Sequence, residues 1–189
     1  MKLIRTALAS ILCLAVAAPA LAQARSYKLL ATSKTSTMQK EMQDAGDAGY
    51  KFVAVMGGET AVGGKEVVVL VEKSSDDSNT YSYRLLATSK TSTLQKELQE
   101  ASDAGFHAVG QTVFESMFGG KETVAIVQKG SEVPSKLRYE YKLVATTKTS
   151  TLEKELKELA GEGYQAIDLT VGKTAMGGNE IVVITRRAK

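Results

Sequence analysis

Cysteine is almost missing from this chain. Cys13 is the only one, and it lies inside an apolar run near the N-terminus. No disulfide framework and no pair of thiolate ligands can be built from it. Tryptophan is absent and aromatic residues make up 6% of the chain. Stacking platforms for bases or sugars therefore have little material, and nothing argues for nucleic acid. His107 is the only histidine. One imidazole and no cysteine pair exclude the usual zinc and blue-copper ligand sets. A serine triad would depend on His107 alone, and no G-x-S-x-G elbow is present. His107 reads as a solvent-facing strand residue. Past the first two dozen residues no apolar run approaches the ~20 residues a membrane-spanning helix needs. Charge of one sign is missing too. The formal +3 includes Lys2 and Arg5, and the remainder carries 22 basic against 21 acidic residues.

The N-terminus reads as a secretory signal peptide. Lys2 and Arg5 form a positive start, Ala7 to Ala18 is apolar, and Pro19 is followed by Ala20-Leu21-Ala22. Small residues at that spacing predict cleavage after Ala22 and a periplasmic or secreted chain, with no membrane span after cleavage.

Beyond that segment the chain is repetitive. Residues 27–73 align without a gap on residues 83–129, at an offset of 56, and both align on residues 141–187. Segments 74–82 and 130–140 join them as polar linkers, the second with Pro134. The pattern is that of a tandem array of three similar units. Asp76-Asp77 in the first linker is a poor calcium candidate, because a solvated linker explains it.

Each unit reads as strand, helix, strand, strand. Tyr27, Leu29 and Ala31 point one way in a first strand, with Lys28 and Thr32 the other. Met38, Met42 and Ala45 recur at helical spacing, as do Leu152, Leu156 and Leu159, placing a helix near residues 37–48. Gly49, Gly105 and Gly163 stop the helices, and an aromatic comes after each. The third strand, Val67 to Val71 in the first unit, is apolar on both faces, which predicts a central strand covered on both sides. Glycine pairs before it (ending at Gly64, Gly120 and Gly178) predict hairpin turns with positive φ. Val62, Phe118 and Met176 fall near those tips. The fold class is α+β: three tandem βαββ units, each a mainly antiparallel three-stranded sheet with one helix on one face. A unit of this size is marginal alone, so the units should pack together, sheet face to sheet face, or associate with other chains.

Tyr141-Lys142-Leu143-Val144, Leu152-Glu153-Lys154-Glu155-Leu156, Gly161-Glu162-Gly163-Tyr164 and Ile181-Val182-Val183-Ile184 together resemble the small bacterial family called domain of unknown function 4177. The resemblance covers all three units. It implies the strand, helix and return-hairpin order, and carries no activity or catalytic residue.

Chemistry concentrates at the helix starts. Lys34-Thr35-Ser36-Thr37 recurs as Lys90-Thr91-Ser92-Thr93 and Lys148-Thr149-Ser150-Thr151. Ser36, Ser92 and Ser150, each three residues before Gln39, Gln95 or Glu153, fit the capping box. Lys34, Lys90 and Lys148 are left over. With the serines they make a candidate anion seat at a helix N-terminus. Thr37, Thr93 and Thr151 precede Lys40, Lys96 and Lys154 by one helical turn, a hydroxyl–lysine spacing used by some acyl enzymes. Activation there needs a desolvated lysine, and these fall opposite the apolar stripe. No cofactor is implied. The residues favour a non-catalytic binding or structural repeat module, with a small anion or another protein as partner. The alternative is a small hydrolase or isomerase with its anion site between units, which requires the three lysines to converge.

Overall fold

The computed structural model describes residues 24–60, 64–75, 78–115, 121–130, 136–173 and 179–189. The signal segment, Asp76-Asp77, Val62, Phe118 and Met176 lie outside the described residues, as do the second and third glycine pairs. In the first unit Gly64 has φ +73°.

Three units repeat one order. The first has β1 (Arg25–Thr32), α1 (Thr35–Asp47), β2 (Lys51–Thr60) and β3 (Gly64–Ser74). The second has β4 (Tyr81–Thr88), α2 (Thr91–Asp103), β5 (His107–Glu115) and β6 (Lys121–Gly130). The third has β7 (Tyr139–Thr146), α3 (Thr149–Gly161), β8 (Gln165–Lys173) and β9 (Asn179–Ala188). The sheets are ordered β1-β3-β2, β4-β6-β5 and β7-β9-β8, antiparallel throughout. The expected α+β class and the central third strand are both present.

The helices end as the glycines require. Gly49, Gly105 and Gly163 have φ of 85°, 88° and 85°, a left-handed geometry open to glycine without a Cβ penalty. The N–H of Tyr50, Phe106 and Tyr164 then returns to the carbonyl of Ala45, Ala101 and Leu159 at 2.9 Å. One regular feature has no sequence signature. A bulge interrupts β2 between Phe52 and Ala54, β5 between Ala108 and Gly110, and β8 between Ala166 and Asp168. A bulge adds twist and bends its strand.

Packing corrects the sheet-to-sheet expectation. The first two helices are each held between two sheets. Met38 and Met42 are fully buried between Val67, Val69 and Val71 of their own sheet and Tyr83, Val124 and Ile126 of the next. Leu94 and Leu98 repeat this between Ala125 and Val127 on one side and Tyr141 and Ile184 on the other. The layers run sheet, helix, sheet, helix, sheet, helix. The helix of one unit covers the second face of the next unit's sheet, so β6 and β9 are covered on both faces, while the second face of β3, with Val68 and Leu70, has no such helix over it. Each such side chain contributes about 1.5–3 kcal/mol on full burial. Among the described residues, neighbouring sheets approach each other directly mainly along the edge strands β2, β5 and β8, where the Gly57 N–H donates to Thr112 Oγ1 at 2.8 Å.

Candidate functional site

At the helix starts the structure places the N-cap on lysine rather than serine. Lys34, Lys90 and Lys148 have extended backbones (φ −131°, −123° and −117°) and make no side-chain cap bond. Their carbonyls accept the N–H of Met38, Leu94 and Leu152 at 3.0 Å. The helix ladder therefore begins earlier than the capping box requires. Ser36, Ser92 and Ser150 become second helical residues, exposed to solvent. The local device is a threonine two residues before each cap. Thr32 Oγ1 accepts the Lys34 N–H at 3.2 Å, and Thr88 and Thr146 do the same for Lys90 and Lys148. Such hydroxyl-to-backbone bonds define a turn ahead of the helix.

The three lysines are exposed, each on its own helix. Among the described residues no hydrogen bond or ion pair joins Lys34, Lys90, Lys148, Ser36, Ser92 or Ser150 to another unit. Lys40, Lys96 and Lys154 are exposed as well. Lys96 and Lys154 face Glu100 and Glu158 at 3.7 and 3.9 Å. Exposed ammonium groups beside carboxylates lack the desolvation by which a lysine activates a hydroxyl. His107 opens β5 half-buried, opposite Gln128 in register, rather than facing solvent. No cluster of three or more metal-ligating side chains occurs among the described residues.

The helix ends carry a second repeated arrangement. Lys28, Arg84 and Lys142 lie over the rings of Tyr50, Phe106 and Tyr164 at 5.9, 4.2 and 4.7 Å. Lys73, Lys129 and Arg187, at the far end of each third strand, donate to the carbonyls of Ala48, Ala104 and Glu162 at 2.7, 3.5 and 3.2 Å. A cation there satisfies an orphan carbonyl and the negative end of the helix. In the third unit Glu162 and Arg187 also line a cleft of about 590 Å³, together with Tyr139 and Arg186. Its cations are committed inside the protein. Arg187 holds Glu140 at 2.7 and 3.0 Å. Arg186 donates to the Ala108 carbonyl at 3.1 Å and stacks on Tyr139 at 4.2 Å. The Lys142 ammonium is held above its ordinary pKa by its bond to Glu162, at 2.6 Å.

The seams between units hold polar contacts that sequence reasoning missed. Gln39 Nε2 donates to the Tyr83 carbonyl at 2.8 Å, and its Oε1 accepts the Leu85 N–H at 2.7 Å. Gln43 Oε1 accepts the Tyr83 N–H at 3.1 Å. One turn apart on α1, the two glutamines close the free edge of β4. On α2, Gln95 accepts from Leu143 at 3.1 Å, and Gln99 accepts from Tyr141 at 3.3 Å and donates to the Tyr139 carbonyl at 3.1 Å. The tyrosines answer across the seam. The Tyr83 hydroxyl donates to the Tyr50 carbonyl at 2.9 Å, and the Tyr141 hydroxyl accepts the Ala108 N–H at 2.8 Å. Burial pushes the Tyr141 phenol above its ordinary pKa. The signal was legible as glutamine at i and i+4 beside the apolar stripe in two units, and its replacement by Glu153 and Lys157 in the third.

Comparison with protein-family models, with curated proteins and with solved structures found no match.

Proposed function

We propose that the chain is an exported, non-catalytic repeat module that works by binding through its two open ends. One observation carries this reading. Side chains that are buried at both internal seams stand exposed where the array stops. Tyr27 is 59% exposed, against 2% for Tyr83 and 3% for Tyr141 in the same place. Leu29, Met56, Leu169 and Val171 are exposed large apolar residues as well. Contiguous exposed apolar surface of this kind marks an interaction site. The repeated polar residues support it from the other side, since the glutamines are consumed in holding units together and the lysines stand in solvent on separate helices.

An apolar fluorescent dye tests the reading. The folded chain, freed of residues 1–22 and at low micromolar concentration, should enhance dye emission. Leu29→Lys and Leu156→Lys should each lower it while circular dichroism stays unchanged. Absence of any enhancement would refute binding through the ends. Export is tested separately by N-terminal sequencing of the exported chain, which should begin at Gln23. For the anion reading, phosphate titration should give the same small, non-saturating response before and after joint replacement of Lys34, Lys90 and Lys148 by alanine. Saturable binding lost in the triple variant would restore the helix-start site.

A further inference from the structure

We infer that the occupant of each open end is a second copy of this chain, docked head to tail; the inference rests on the reading that the ends are binding surfaces. The template is inside the molecule. The same junction is built twice, α1 on the β4 face and α2 on the β7 face. Each junction is heterologous, with a helix on one side and a sheet face with its free edge on the other. The described residues leave one unused half of each kind. β1 presents Tyr27 and Leu29, 59% and 67% exposed, and lies at the outer edge of its sheet. α3 presents Leu152, Leu156 and Leu159, all half-exposed, where Met38, Met42, Leu94 and Leu98 are fully buried. No residue of α3 is buried. Seating α3 of one copy on β1 of another would repeat the junction a third time, with apolar stripe on apolar face.

The polar part of the junction carries over in halves. Glu153 stands where Gln95 accepts from Leu143, so its carboxylate can accept the Leu29 N–H. Lys157 stands where Gln99 donates to Tyr139, so its ammonium can donate to the Arg25 carbonyl. Neither can supply the other half that an amide provides. In the isolated chain they pair with each other at 2.5 Å. Docking must break that exposed pair, which is worth little in water. The contact between copies is accordingly weaker than the internal seams and depends on concentration. A heterologous contact closes into a ring or runs on as a filament, according to its rotation.

Sedimentation equilibrium over a concentration series tests this on the chain freed of residues 1–22. The mass average should rise with concentration. Leu29→Lys blocks the sheet end and Leu156→Lys blocks the helix end, so each variant alone should stay monomeric. An equimolar mixture should form a dimer and nothing larger, because one intact end of each kind remains. Glu153→Gln with Lys157→Gln restores both amides and should lower the concentration for half-association about tenfold. A wild-type chain that stays monomeric overturns the proposal. So does self-association of either single variant alone, or a mixture that forms no dimer. A monomer that still enhances dye at both ends sinks self-assembly alone, and a monomer that enhances none sinks the surface reading with it.

Discussion

Gln39 shows how much one side chain decides at the seams. Its amide donates and accepts on a strand that belongs to the next unit. Replacing it with leucine keeps the helix but strands a carbonyl and an N–H at a half-buried edge. The expected cost is about 1–3 kcal/mol, read as a lower urea midpoint at unchanged slope. Gly46 acts by having no side chain. A Cβ there would lie 2.2 Å from the Tyr81 carbonyl oxygen. Gly46→Ala forces α1 off the next sheet, and overpacking of this kind costs about 1–3 kcal/mol. Asp103 closes α2, where a carboxylate faces the negative helix end. Its bond to Lys189 at 2.8 Å holds its pKa below the ordinary value. A depressed carboxylate contributes stability that is present above its unfolded pKa and lost as pH falls through the folded one. Lys189→Ala should raise the Asp103 pKa, followed by carboxyl carbon shifts. It should also flatten the acid limb of the stability profile. An unmoved titration would assign the depression elsewhere.

At the scale of elements, the three helices share one design with two outcomes. α1 and α2 have a sheet on each side, and α3 has a sheet on one. Leu98 and Leu156 occupy the same place in their helices, yet Leu98 is fully buried and Leu156 half-exposed. Leu98→Ala should cost about 2–5 kcal/mol, the range for a leucine truncated in a closed core. Leu156→Ala should cost less than half of that, measured by urea denaturation below the concentration where copies associate. Equal costs would mean that α3 is covered. The helix stripes and their glycine stops were legible from spacing alone, because periodicity and left-handed caps are local. The helix starts were misread. Serine followed three residues later by Gln or Glu looks like a capping box, but Thr32, Thr88 and Thr146 hold the turn from outside the helix. That pulls the first helical residue back to Thr35, Thr91 and Thr149.

At the scale of the whole molecule, the shared layers predict that the array unfolds as one cooperative body. α1 belongs to the cores of the first two sheets, and α2 to those of the second and third. Nearest-neighbour coupling of this strength makes repeat arrays unfold together. Urea denaturation should give one transition with coincident probes on Tyr81 and Tyr164. Truncation after residue 130 should expose α2 and destabilise the second unit as well as removing the third. Two separated transitions would mean that the seams are weak.

The sequence by itself determined the three units, their strand–helix–strand–strand order and the central place of the third strand. Those features rest on alternation, helical period and glycine, which act over a few residues. A strand apolar on both faces also announced that a second cover must exist. Only the tertiary structure decided that the cover is the preceding unit's helix rather than another sheet. Packing partners far apart in sequence leave no local trace in Val124 or Ile126, which lie under α1. The same holds for Gln39 and Gln43, whose hydrogen bonds reach across to Tyr83 and Leu85. It holds most of all for Tyr27 and Leu156. Their residue types match those of buried neighbours, and only the end of the stack leaves them exposed.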